Sequence, residues 1–132
     1  MVLPMVLDTS ALVAIFLGEP ERDAFVQHVL QAETRLLSAA NALETGIVLE
    51  AKRGEAAGRE FDLFQVRAQL EVVPVDAEQV EIARSAWRKY GKGRHAAGLN
   101  FGDCFAYALA KSSAQKLLAK GEDFRLTDIE LV

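Results

Sequence analysis

The sequence predicts an α/β fold built on a short parallel sheet with helices on both faces. Three observations carry that expectation. Short apolar runs alternate along the chain with longer stretches of helical periodicity. The apolar runs are continuous and do not alternate with polar residues, as expected of strands buried on both sides. Residues that cap helices stand at the starts of the helical stretches. The size is suitable: 132 residues, 14.4 kDa and 51% apolar content fit one domain over 1–132. A domain of that length buries roughly two-thirds of its unfolded surface. The composition excludes a disordered or fibrous chain, and no repeat, low-complexity segment or linker interrupts it.

Val2 to Leu7 reads as the first strand, broken only by Pro4. Thr9 or Ser10 caps a helix over Ala11 to Leu17, which Gly18 ends. Pro20 fits the first turn of a second helix to about Ala32, with Phe25, Val29 and Ala32 on one face. Arg35 to Ser38 is a second strand. Helices follow over Ala39 to Arg53, closed by Gly54, and over Glu55 to Leu70, with Phe61, Phe64 and Ala68 inward. Glu71 to Val75 is a strand. Asp76 caps a helix to about Tyr90, with Gln79 as the return partner of a capping box and Val80, Ala83, Trp87 and Tyr90 as its apolar stripe. Gly91 to Gly98 is a loop, and Asn100 caps a helix from Phe101 to about Ser112. Leu117 to Ala119 is a strand, Lys120 to Asp123 a turn, and Asp128 to Val132 a last strand.

Charge is isolated at three places. Asp8 is the only charged residue from Met1 to Gly18, Glu44 the only one from Leu36 to Leu49, and Asp103 the only one from Ala96 to Ala110. A carboxylate buried without a partner costs several kcal/mol or takes up a proton. In a parallel sheet, strand ends and helix starts share one edge, where ligands bind. Asp8 follows the first strand. Glu44 lies in the first two turns of its helix, with Ala40, Ile47, Val48 and Ala51 on its face, and Asp103 in the first turn of its own. The three acids can therefore converge. Hard divalent cations take oxygen ligands, and Mg²⁺ or Mn²⁺ in a carboxylate cage suits phosphodiester hydrolysis by activating water and stabilising charge on the phosphate. No His or Cys cluster points to zinc.

Other readings of the same acids stay open. Asp8 can simply cap the next helix, Asp103 can face a helix dipole, and Glu44 can pair with an arginine. Asp8 can also serve as the nucleophile of a phosphatase or phosphotransferase, although Ser10 stands where the common pattern has a second Asp. A catalytically silent binding module is a further alternative.

The same residues carry a family resemblance over essentially the whole chain. Val6-Leu7-Asp8-Thr9-Ser10-Ala11-Leu12, Leu43-Glu44-Thr45, Asn100-Phe101-Gly102-Asp103-Cys104 and Gly121-Glu122-Asp123-Phe124 resemble, in order and spacing, the four motifs of PIN-domain ribonucleases. The likeness is to the VapC toxins of toxin–antitoxin pairs in particular. It implies a three-layer α/β/α sandwich with a short, mainly parallel sheet. It also implies an Mg²⁺- or Mn²⁺-dependent endoribonuclease whose acidic core is Asp8, Glu44 and Asp103. The fourth acid is Asp123, with Glu122 beside it as the competing candidate. Thr9, Ser10 and Asn41 are supporting residues. The partners implied are an RNA substrate, a VapB-like antitoxin and a second copy of the chain.

The net charge of -4 argues against a phosphate-binding surface until its distribution is considered. From Ile82 to Gly102 there is no acid, while Arg84, Arg88, Lys89, Lys92 and Arg94 fall in that stretch. Arg84 and Arg88 share a helix face, and Lys92 and Arg94 sit on the glycine-flanked loop that leads to Asp103, an arrangement suited to an RNA backbone. His95 on that loop suits phosphate contact, and His28 reads as solvated. Cys104 excludes an intramolecular disulfide and reads as a buried, inert thiol in a reducing compartment. Trp87, Tyr90 and the phenylalanines read as core. The apolar start lacks the basic residues and length of a signal peptide, and no run of about 18 apolar residues occurs. A cytoplasmic protein is expected, with Met5 as a second possible start.

Overall fold

The computed structural model describes residues 4–132. Its elements are β1 (Met5–Leu7), α1 (Thr9–Phe16), α2 (Arg22–Gln31), β2 (Arg35–Ser38), α3 (Ala39–Arg53), α4 (Glu55–Arg67), β3 (Leu70–Val73), α5 (Ala77–Tyr90), α6 (Phe101–Ser113) and β4 (Lys116–Leu118), then a 3₁₀ turn over Asp123–Leu126. The strands pair in parallel in the order β3-β2-β1-β4. β1 shows why the strands read as unbroken apolar runs. Its Val6 joins the core under α5 and α6, while Met5 and Leu7 join the opposite core under α1 to α4. All three are buried, so the sheet has no solvent face there. The result is the expected α/β/α sandwich.

The strand order also fixes where a site can form. From β1 the chain goes out to β2 and β3 on one side and returns to β4 on the other. The carboxyl end of β1 is therefore the switch point of the sheet, and Asp8 is the first residue beyond it.

Several sequence expectations are corrected. Asp8 itself, rather than Thr9 or Ser10, caps α1, accepting a hydrogen bond from Ser10 N at 3.0 Å. α2 begins at Arg22, after a turn through Pro20. The first strand is seen from Met5, and Val2 and Leu3 lie outside the described residues. β3 starts one residue earlier than expected and ends two residues earlier, before Pro74, which cannot donate to a ladder. β4 also starts one residue early, because Ala114 takes the left-handed conformation (φ 54°) and turns the chain sharply out of α6. Asp128 to Val132 forms only an isolated bridge from Leu131 to Leu117. Asp128 is instead drawn to α6, where Tyr107 Oη and Lys111 Nζ donate to its two carboxylate oxygens at 2.7 and 2.5 Å. The turn expected over Lys120 to Asp123 passes into the 3₁₀ turn, which buries Phe124.

Helix faces are displaced too. In α3 the buried residues are Asn41, Thr45 and Leu49, whereas Ile47 and Ala51 are exposed. In α5 the buried face is Gln79, Ala83 and Ala86, and Val80 and Trp87 are about half exposed. Gln79 does not close a capping box, because its amide donates to the Pro74 carbonyl at 3.2 Å. Phe101 is 81% exposed, so it is not core. Among the described residues, no helix is long and apolar enough to cross a membrane.

Candidate active site

Asp8 is held in place by being a helix cap. Its Oδ2 takes the Ser10 amide, its backbone amide donates to Leu118 O at 2.9 Å, and its side chain is buried with Oδ1 unpartnered. Ser10 Oγ in turn accepts from Lys120 N at 2.9 Å, which ties the end of β4 to the start of α1. Burial, reinforced by the nearby Asp103 and Glu44 carboxylates, pushes Asp8 up to about 7. Thus one oxygen does the structural work of a cap, and the other is left buried and unsatisfied.

Asp103 is also part of a helix cap. It is the third residue of α6 and closes a capping box with Asn100: its Oδ2 accepts from Asn100 N at 3.0 Å, and Asn100 Oδ1 accepts from Asp103 N at 2.9 Å. Burial lifts it to about 6, opposed by the Asn100 amide and assisted by the charges of Asp123 and Glu44. Glu44, one turn into α3, lies against the backbone of α6 at Gly102. Its Oε1 accepts from Asn41 Nδ2 at 3.2 Å.

Asp8, Glu44 and Asp103 therefore come together at the carboxyl edge of the sheet, where the Asp103 and Glu44 charges raise Asp8 and the Glu44 charge raises Asp103. Asp123 lies near enough to act on Asp103 and is itself exposed at the start of the 3₁₀ turn. Glu122 is engaged elsewhere, by Arg125 Nε at 3.0 Å. Among the described residues, no salt bridge reaches any of the four acids, and the nearby Lys120 is paired with Glu19 and Glu21. Among the described residues, no three or more His, Cys, Asp or Glu side chains are arranged closely enough to hold a metal ion between them. The residues nevertheless fit a divalent cation. The donors are hard oxygens, and one of them, Asp8 Oδ1, is buried without a hydrogen-bond partner.

The supporting residues lie directly behind the acids. Thr9 Oγ1 donates to Asn41 O, and Thr45 Oγ1 donates to Thr9 Oγ1, each at 3.4 Å. These hydroxyls join α1 to α3 rather than pointing to an open site. Asn41 is fully buried, and both its amide hydrogens are used, the second by Gly102 O at 3.0 Å. Thr45 and Gly102 fall within the motifs quoted above, but the sequence assigns neither an individual role. A signal for Thr45 was present: Asn41 and Thr45, four apart, place two polar side chains on the buried stripe of α3.

The basic residues form a rim. Arg84 and Lys92 line a groove of about 500 Å³ between α5 and α6, floored by Ala83, Leu99 and Cys104 and flanked by Trp87 and Phe101. Asn100, the capping partner of Asp103, lines the same groove, which therefore opens toward the acids. Arg94 stacks over Trp87, 4.7 Å from the ring centroid, and donates to Arg88 O at 3.3 Å. Arg88 does not line the groove. His95 is turned into its own loop, with Nδ1 accepting from Ala97 N at 2.9 Å. Cys104 is buried and free, and burial, with Asp103 beside it, pushes its thiol up, away from nucleophile chemistry.

The family model of the PIN domain matches residues 5–130. The chain belongs to the PIN-domain family. Among curated relatives, a protein named ribonuclease VapC from Mycolicibacterium smegmatis is 56% identical over 128 residues, covering 97% of this chain and 99% of the relative. Ribonuclease VapC30 of Mycobacterium tuberculosis is likewise 56% identical, over 97% of this chain and 98% of that one. Of solved structures, Mycobacterium tuberculosis VapC20, described as a sarcin-ricin loop cleaving toxin, superposes with a TM-score of 0.79 at 18% identity, covering 97% of this chain and 98% of that one. VapBC2 from Rickettsia felis, bound to a DNA fragment from its promoter, gives 0.75 at 15% identity, with coverage of 98% and 97%. These two establish the PIN fold, and Asp8, Glu44 and Asp103 stand at the carboxyl edge of its sheet.

Proposed function

We propose that this PIN-domain chain is an endoribonuclease of the VapC kind, the toxin of a toxin–antitoxin pair, and that it works with Mg²⁺ or Mn²⁺. The observation that carries the metal reading is the buried, unpartnered Oδ1 of Asp8 beside Asp103 and Glu44. Such a cluster is stable as three anions only with a cation among them. Asp8, Glu44 and Asp103 would hold the cation, with Asp123 as the outer fourth acid. A bound divalent ion supplies Lewis acidity toward the phosphodiester and lowers the pKa of water. The chain supplies the rest. Asp8 and Asp103 are fixed by their caps, Glu44 is fixed by Asn41, and Thr9 and Ser10 brace the strand-to-helix turn that carries Asp8. Arg84, Lys92 and, beside them, Arg88 and Arg94 take the RNA backbone. A VapB-like antitoxin is its partner. A second copy is expected against the exposed Leu43, Ile47 and Phe101. A cytoplasmic site of action accords with an RNA substrate.

An RNA-cleavage assay tests the reading. Cleavage in Mg²⁺ should stop in EDTA, return when Mg²⁺ or Mn²⁺ is restored, and leave 5′-phosphate and 3′-hydroxyl ends. Cleavage undiminished by EDTA, or cyclic phosphate ends, would contradict it. The basic rim has a separate signature. Arg84→Glu with Lys92→Glu should raise KM for RNA by about tenfold or more and flatten its salt dependence by roughly two phosphate contacts. A steady-state titration at two salt concentrations measures both.

A further inference from the structure

Gly102 precedes Asp103 in the first turn of α6, and its glycine identity needs a reason. Its backbone is ordinary helix, with none of the positive φ that Gly18, Gly54, Gly93, Gly98 and Gly121 show. In a helix interior glycine costs about 1 kcal/mol relative to alanine, and in a first turn it still brings no gain over alanine. Conformation therefore gives glycine no advantage at this position, and space must decide against alanine. A Cβ built on Gly102 would stand 2.5 Å from Glu44 Oε1 and 2.6 Å from Glu44 Cδ, with Oε2 closer still. Real Cβ atoms essentially never approach a neighbour within 3.0 Å. The helix cannot simply back away, because Gly102 O is held by the buried Asn41 amide, whose other hydrogen holds Glu44 Oε1.

We propose that Gly102 and Asn41 together are the positioning device for Glu44: glycine leaves a seat in the α6 backbone for the carboxylate, and the asparagine amide pins both the seat and the carboxylate. Neither residue touches substrate. Gly102 fixes the separation of Glu44 from Asp103, its chain neighbour, and so the width of the acidic cluster. The proposal rests on the metal-site reading given above and adds a cause for its geometry. It predicts that a single methyl group disables the site while every acid remains present. The clash is with the end of a flexible side chain, so the Gly102→Ala chain folds and Glu44 is what moves.

The test is a double-mutant cycle on the full chain. Gly102→Ala should weaken Mn²⁺ binding, measured by calorimetry, and lower kcat on RNA, each by about 10- to 100-fold, the usual effect of disturbing residues that orient a metal ligand. KM for RNA should be unchanged, and the metal-free melting temperature should stay within a few degrees. Shortening the acid should relieve the clash: Gly102→Ala added to Glu44→Asp should cost less than twofold beyond Glu44→Asp alone. Added to Glu44→Ala, it should cost nothing in Mn²⁺ affinity and should not lower the melting temperature. Equal losses in the wild-type and Glu44→Ala backgrounds would overturn the proposal, as would a chain that fails to fold in both. Wild-type Mn²⁺ affinity and kcat in Gly102→Ala, with Glu44→Ala inactive, would overturn the proposal alone. Full activity in Glu44→Ala would overturn the metal-site reading beneath it.

Discussion

The metal-free protein should lose stability as the pH rises from about 4 to about 7, and Asp8→Asn should remove most of that loss. An aspartate in an unfolded chain has its ordinary value of 3.8, while Asp8 in the folded chain stands at about 7. The folded state therefore holds its proton more tightly. Between those pH values unfolding releases a proton, so stability falls with rising pH. Every tenfold difference in proton affinity between the two states is worth about 1.4 kcal/mol, so a fully buried acid raised this far changes stability by several kcal/mol. Asp103, raised to about 6, adds a smaller contribution of the same sign, discounted because it is partly exposed. Urea denaturation in EDTA at pH 5, 6 and 7 measures the slope. Asp8→Asn keeps the shape and an oxygen for the Ser10 amide but drops the buried charge. At pH 7 it should be more stable than wild type in EDTA, and Mn²⁺ should stabilise wild type far more than the variant. A wild-type stability that is flat from pH 4 to 7 would contradict the account.

The second expected result concerns activity. Asp103→Asn should lower kcat on RNA by about 10²- to 10³-fold, the scale on which loss of one preorganised electrostatic group acts in an active site. The substitution is conservative for the fold: an asparagine oxygen can still accept from Asn100 N, so the start of α6 stays capped. The far-ultraviolet circular dichroism and the melting temperature in EDTA should be unchanged or higher. The opposite pairing, a variant that unfolds or one that cleaves at the wild-type rate, would assign Asp103 a capping role only. Asp8 and Asp103 each combine a cap with a charge that the cap does not need, and this substitution separates the two.

That double duty explains what the sequence made legible. Isolation of charge singled out Asp8, Glu44 and Asp103 because a lone acid in an apolar segment is costly wherever the segment is buried. The strand–helix alternation then predicted that they meet. Both inferences depend only on local composition and on the general geometry of parallel sheets. Capping α1 does not use up Asp8, since Oδ2 takes the Ser10 amide and Oδ1 is left without a partner. Less legible were features set by helix packing. Trp87 and Val80 fit the apolar stripe of α5 by periodicity, yet α6 covers the neighbouring face of Ala83 and Ala86. Phe101 looks like core by type and lies at the exposed mouth of the groove. The last strand failed because Tyr107 and Lys111, far away in sequence, hold Asp128. The role of Gly102 depends on the Glu44 carboxylate, 58 positions earlier in the chain, and no local pattern reveals it.

We propose that the acids gathered around the buried Asp8 are a cation site used to cut RNA. Calorimetric titration of Mn²⁺ into wild type and Asp8→Asn at pH 7.5, with RNA cleavage followed on the same samples, tests it most directly. The account predicts saturable binding and cleavage by wild type, and the loss of both in Asp8→Asn. Equal Mn²⁺ binding by the two proteins, or cleavage by Asp8→Asn at the wild-type rate, would contradict it.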